Sequence, residues 1–191
     1  MKILDQTIKN AASIGLFFLL LSCDTIDISN ITSSEEPPEC PQVSVPPDVS
    51  TITRFIEGFG ESLIDIDFTA EITEVKGECT YKATTDSGNG SVDIKIITKF
   101  AINRGAANTS RRADFDYFIS VLDSNKEVLD MQPFTFSAEY SGNRLKIKKS
   151  SSPVKLSIPL VSDQTGQDFF VYVGFQLSQR ELEYNRRVNS D

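Results

Sequence analysis

Polar and apolar side chains alternate with a period of two through most of the chain from residue 63 to residue 177. Ile64, Ile66, Phe68, Ala70 and Ile72 occupy one set of positions, and Asp65, Asp67, Thr69, Glu71 and Thr73 the other. Residues 63–75 therefore read as a strand with one buried face and one acidic, wet face. Val92, Ile94, Ile96, Phe100 and Ile102 repeat the alternation, with Thr98 intruding on the inner side. Between these runs, Cys79-Thr80-Tyr81 reads as a short strand or strand extension, and "TTDSGNGS" as the turn that follows it. The second half continues with "FDYFISVLD" (115–123), "EVLDMQ" (127–132), "FTFSAEY" (134–140), "RLKIK" (144–148), "VKLSIPL" (154–160) and "FFVYVGFQL" (169–177). Turns rich in Ser, Asn, Gly and Pro separate them. About eight short strands at this spacing predict an all-β fold, an antiparallel β-sandwich of immunoglobulin-like topology. A closed barrel fits the same pattern. The C-terminus breaks the period: Ser178-Gln179-Arg180-Glu181 has capping-box spacing, and Arg186-Arg187 suit a last turn, so a short helix is expected there.

The amino-terminal hydrophobic run has a different character. Residues 11–21 are apolar, follow Lys2 and Lys9, and are fewer than the ~20 that a spanning helix needs, so residues 1–22 read as an export signal. The run ends at Leu20-Leu21-Ser22-Cys23, which resembles the bacterial lipobox. That resemblance implies a thioether from Cys23 to diacylglycerol and cleavage before Cys23, with two or three acyl chains as the membrane anchor. The competing reading is a buried cysteine in an ordinary hydrophobic helix. Residues 23–41 then form the lipidated cysteine and a tether, since "DTIDISNITSSEEPPECP" is rich in Asp, Glu, Ser, Thr and Pro and carries no sustained period. From Cys23 to Cys40 it spans at most ~55 Å. Residues 42–191 form the β-sandwich domain. Localisation follows as the periplasm, with the lipid in the inner or the outer membrane. Asp24 resembles an inner-membrane retention signal of enteric bacteria, a rule that does not transfer safely to other groups.

An exported chain also changes the reading of the two remaining cysteines. In an oxidising envelope Cys40 and Cys79 are expected to pair, and a bridge closing a loop of about 40 residues contributes roughly 4 kcal/mol on the loop-entropy model. Two free thiols, or one catalytic nucleophile, is the alternative, although no His or Cys-x-x-Cys partner exists to activate a thiol.

Composition excludes more chemistry than it suggests. The 191 residues contain no His and no Trp. Without imidazole there is no Ser-His-Asp or Cys-His relay and no His-ligated zinc. The net charge of −8 and the lack of a long basic run argue against nucleic acid as a partner. No serine sits in a Gly-x-Ser-x-Gly elbow. The expectation is a non-enzymatic protein with no catalytic residue, no cofactor and no metal.

The candidate binding residues are Arg104, Arg111 and Arg112 in the loop "RGAANTSRR", where clustered guanidiniums suit a carboxylate or phosphate. The competing reading is a structural loop. Asp65 and Asp67, two apart on a strand, invite calcium, but alternation alone places acids on a wet face. Arg144, Lys146, Lys148 and Lys149 make a basic stripe that suits anionic headgroups or an acidic partner, or guards an edge strand against aggregation. Tyr184-Asn185-Arg186-Arg187 reads either as a partner contact or as a helix satisfied against its own domain.

Taken together, "ECPQVSV", "GECTY", "RGAA", "FDYFISV" and above all "GFQLSQRELEYNRR" resemble a family of alphaproteobacterial lipoproteins over most of residues 39–187. The resemblance implies a lipoprotein with a common domain and supplies no substrate. Relatives tend to read Arg-Gly-Pro where this chain has Arg104-Gly105-Ala106, which puts any turn rigidity from the proline in doubt. The function expected is a lipid-anchored envelope module. It is joined to the membrane through Cys23 and binds another envelope protein or the wall. The alternative is a small-ligand or carbohydrate-binding module.

Overall fold

The computed structural model describes residues 38–189, apart from residues 59, 84–89 and 162. The expected signal peptide, Cys23, the tether up to residue 37 and most of the "TTDSGNGS" turn lie outside the described residues. Among the described residues nine strands form two sheets: β1 (Gln42–Ser44), β2 (Thr51–Phe55), β3 (Ile66–Ala83), β4 (Gly90–Arg104), β5 (Arg112–Leu122), β6 (Val128–Glu139), β7 (Lys146–Ser150), β8 (Val154–Leu160) and β9 (Phe170–Phe175). One sheet runs β1-β9-β5-β6, and the other β2-β3-β4-β7, with β8 also paired to β4. The result is the β-sandwich that the alternation predicts, and its strand order is consistent with the immunoglobulin-like expectation. All the pairings are antiparallel except the parallel contact of β1 with β9.

The inward set from each sheet makes one core. Phe100 of β4 is fully buried and meets the rings of Phe115, Tyr117, Phe136 and Phe175 from the opposite sheet at centroid separations of 4.7–5.8 Å. These aromatic pairs join the two layers at their centre. Thr98 lies inside, as the pattern predicts, and is fully buried. The core residues, both sheets and the disulfide all lie within residues 38–189.

Four departures from the sequence reading have local causes. Strand β3 is a single 18-residue element with a bulge between Ile72 and Glu74, so Cys79-Thr80-Tyr81 is its continuation. The bulge shifts the alternation by one, which is why the periodicity appears to restart. The strand begins at Ile66 rather than residue 63, because Leu63–Asp65 forms a 3-10 turn capped by Ser62 and Asp65. Strand β6 passes through Pro133 without a break; β6 is an edge strand, where a missing N–H is tolerated. Strands β1 and β2 are too short, and their apolar alternation too weak, to stand out in the sequence.

On the outer edge of β4, β7 and β8 are nearly one strand. They are interrupted at Ser151-Ser152-Pro153, where the Ser151 hydroxyl accepts from the Thr98 N–H and the Ser151 N–H donates to the Thr98 carbonyl. The C-terminal helix α1 (Gln179–Val188) begins at Ser178 with the expected capping box.

Candidate functional site

The loop after β4, which carries the candidate arginines, folds as a locked corner. Gly105 lies so close to the start of β3 that a Cβ there would fall 2.0 Å from the Ile66 carbonyl oxygen. Only glycine allows that approach. The Gly105 and Ala107 N–H groups donate to the carbonyls of Asp67 and Ile66. Asn108, 3% exposed, ties the corner: its Nδ2 donates to Asp67 Oδ1 and to the Arg112 carbonyl, both at 2.8 Å, and its Oδ1 accepts from the Arg111 N–H. That last bond holds Arg111 at φ 58°, in the left-handed region.

The three guanidiniums go to different acceptors. Arg104 donates twice to the Asn108 carbonyl, at 2.6 and 3.2 Å. Arg111 reaches the carbonyls of Tyr140 and Gly142. Arg112 contacts Asp114 and donates to Ser137 at 2.9 Å. The corner therefore uses Arg104 and Arg111 to satisfy backbone carbonyls and places Arg112 on the exposed face of β5, beside Ser137 of β6. Asp65 and Asp67 do not form a strand pair: Asp65 accepts from the Ser62 N–H in the 3-10 turn, and Asp67 holds Asn108. Among the described residues no three His, Cys, Asp or Glu side chains converge as metal ligands.

The "LSQRELEYNRR" segment is likewise turned toward its own domain. Glu181, 8% exposed, accepts from the Ser178 N–H at 2.8 Å and pairs with Arg54 of β2 at 2.7 Å. Asn185, 4% exposed, donates to the carbonyls of Asp48 and Thr51 at 3.1 and 2.8 Å. Arg186 pairs with Asp48, both Arg180 and Arg187 pair with Glu61, and Tyr184 stands edge-on to Phe55 at 5.2 Å. The hydrogen bond from Arg180, reinforced by Arg187, holds the Glu61 carboxyl below its usual pKa. Sequence spacing pointed to the Ser178–Glu181 cap. It gave no signal for Arg54, which is 127 residues away from Glu181.

Where the domain begins, Cys40 and Cys79 are joined by a disulfide with a Cα–Cα distance of 5.8 Å. Beside it, the Tyr81 hydroxyl donates to the Glu39 carbonyl and accepts from the Gly166 N–H at 2.6 Å. A Cβ on Gly166 would meet the Glu39 carbonyl oxygen at 2.5 Å. The start of the domain is thus fastened covalently to β3 and by hydrogen bonds to the entry of β9.

Charged side chains on the outer face of β3 and β4 are matched: across strands Lys99 with Glu74, Lys95 with Glu78 and Lys82 with Asp93, and along β3 Lys76 with the same Glu74. Hydrogen bonds from Lys99 and Lys82 hold the Glu74 and Asp93 carboxyls below their usual pKa values. Two open clefts of about 540 Å³ are present. One lies at the start of α1 and includes Arg54, Glu57, Asp116 and Glu181. The other lies along the seam between β6 and β7–β8, where Tyr117, Phe134 and Phe136 face Ser150, Ser151 and Pro153. No protein-family model, curated protein or solved structure matches this chain.

Proposed function

We propose that the protein is a lipid-anchored envelope lipoprotein whose β-sandwich is a non-enzymatic interaction or structural module. The Cys40–Cys79 disulfide carries this reading, because a paired disulfide at the start of the domain suits an oxidising compartment outside the cytoplasm. Leu20-Leu21-Ser22-Cys23 supplies the anchor, and the acidic stretch after it the tether. The resemblance to alphaproteobacterial lipoproteins points the same way. Two of its motifs, at 104–107 and 174–187, the latter the most distinctive, coincide with the corner and the docked helix, so the resemblance there is one of fold-holding parts.

Replacing Cys23 with Ala is expected to abolish incorporation of labelled lipid and to leave a larger, unprocessed precursor. Normal processing of that variant refutes the anchor. Crosslinking in native membranes, followed by identification of neighbours, then tests the interaction role: recovery of one envelope protein supports it, and recovery of lipid alone counts against a protein partner.

The seam cleft favours a second reading, a small-ligand or carbohydrate-binding module, because aromatic faces and serine hydroxyls line it together. That reading requires saturable binding of a soluble wall saccharide, and a flat titration rules it out.

A further inference from the structure

We propose that the β7–β8 edge is a membrane-facing surface that takes up anionic lipid headgroups, an orientation that rests on the anchor at Cys23. The edge differs from the rest of its sheet in one respect. The lysines of β3 and β4 all pair with a carboxylate of these two strands, Lys76 and Lys99 sharing Glu74. Arg144, Lys146, Lys148, Lys149 and Lys155 are exposed, and none is ion-paired to a described carboxylate. Lys155 is felt by Asp93, which is itself paired to Lys82. In a chain of net charge −8, five cations without an ion-paired carboxylate along one strand edge form a local positive field.

Apolar residues distinguish this edge from one that is merely guarded by charge. Leu145, between Arg144 and Lys146, is 65% exposed. Its carbonyl accepts from the Arg104 N–H at the end of β4. The 3-10 turn leading into β3 lies at that same end of the sheet, and its Leu63 and Ile64 are 78% and 73% exposed. Cations keep an edge from pairing without any need for exposed leucines beside them. Basic side chains flanking exposed aliphatic ones are the composition of an interfacial membrane contact. A protein partner would call for a buried aromatic anchor at the centre of the patch, whereas the rings bordering this edge, Phe134 and Phe136, belong to the seam cleft on the β6 side and not to the row of lysines.

The attachment point fits this orientation. Cys79 is in register with Ile94, and Ile94 with Leu156, so the disulfide lies two strand spacings, about 10 Å, from the β8 end of the edge. From there to Leu145 is about 35 Å of extended chain. A tether that reaches at most ~55 Å lets the domain lie along the bilayer on this edge.

The test uses the mature chain, residues 23–191, carrying Cys23→Ser, so that no acyl chain contributes. Its sedimentation is measured with phosphatidylcholine vesicles, with and without phosphatidylglycerol, at low salt. Binding is expected only with phosphatidylglycerol, and raised salt should release it. At about fivefold per charge, the Lys146→Glu/Lys148→Glu/Lys149→Glu/Lys155→Glu variant should bind at least about a hundredfold more weakly. Lys76→Glu/Lys82→Glu, on the matched face, should bind within a few-fold of the parent, and Leu145→Ala, which leaves every charge in place, should weaken binding measurably. Equal binding to both vesicle types, or equal loss in the two charge variants, overturns the proposal. Binding to soluble polyglutamate as tight as to the vesicles replaces the lipid with an acidic polymer. Because the Cys23→Ser chain carries no lipid, these outcomes are independent of whether Cys23 is acylated, and failure of the anchor is read separately by lipid labelling.

Discussion

Two asparagines hold the points where the chain turns away from the sheets. Asn108 closes the corner after β4, and Asn185 fastens the helix to the carbonyls of Asp48 and Thr51. Each is buried with its donors used, as buried amides must be. Two hydroxyls break that rule: Thr98 Oγ1 and the Tyr140 OH are buried without a hydrogen-bond partner among the described residues. Burial, with a smaller push from the Asp67 carboxylate and partial relief from Arg104, raises the Tyr140 phenol from 10.0 to about 12. The folded state therefore holds this proton more tightly than the unfolded chain. The resulting stability is intact below about pH 10 and is lost as pH rises through about 12. Tyr140→Phe should leave stability at neutral pH unchanged or slightly higher, since it removes an unpaired buried hydroxyl. It should also flatten the alkaline loss. Denaturant midpoints across that pH range check both expectations.

At the scale of elements, the helix shows how a marginal piece becomes fixed. Ten residues are too few for a stable isolated helix in water, so α1 depends on its contacts with β2 and the segments on either side of it. Glu181 is central to this, because one carboxylate both caps the helix and pairs with Arg54. Asn185→Ala removes two hydrogen bonds and leaves their carbonyls to find other partners. The expected cost is about 1–3 kcal/mol, with faster amide exchange in the helix than in the strands. A shifted denaturation midpoint without faster helix exchange contradicts this role. Strands β7 and β8 make a second case: one edge strand is interrupted at Ser151-Ser152-Pro153, and the Ser151 side chain fills the gap in the ladder. The capping-box spacing made the helix legible in sequence. Its docking was not, because Arg54, Asp48 and Glu61 are remote along the chain and carry no local signature.

At the scale of the whole molecule, the sandwich is closed by aromatic contact at its centre and by a covalent link at its start. The Cys40–Cys79 bridge spans a separation of 39 residues. Removing it with Cys40→Ser/Cys79→Ser should lower stability by up to roughly 4 kcal/mol on the loop-entropy model. Reductant should shift the parent protein toward the variant and leave the variant unchanged; a variant as stable as the oxidised parent refutes that contribution. The bridge and the Tyr81 hydrogen bonds together fix the first described residues of the domain to β3 and to the entry of β9.

The sequence by itself determined the alternation, and with it the class of fold, the buried face of β4 and of β3 up to its bulge, the helix cap and the pairing partner expected for Cys40. These are local or compositional properties: a period of two selects a face wherever the strand lies, and only one other cysteine remains when Cys23 is read as the proposed lipid site. Tertiary structure alone decided the β3 bulge, the parallel seat of β1 and the partners of Glu181, Asn185 and the three loop arginines. Arg104, Arg111 and Arg112 read as a cluster because they are close in sequence, yet in the fold their guanidiniums take separate acceptors. Which cations remain unmatched was likewise decided by register, since Lys95 and Lys99 face carboxylates across β3 whereas the lysines of β7 and β8 sit on a free edge. A side chain's type is written in the sequence, but its partner depends on which strand is brought alongside.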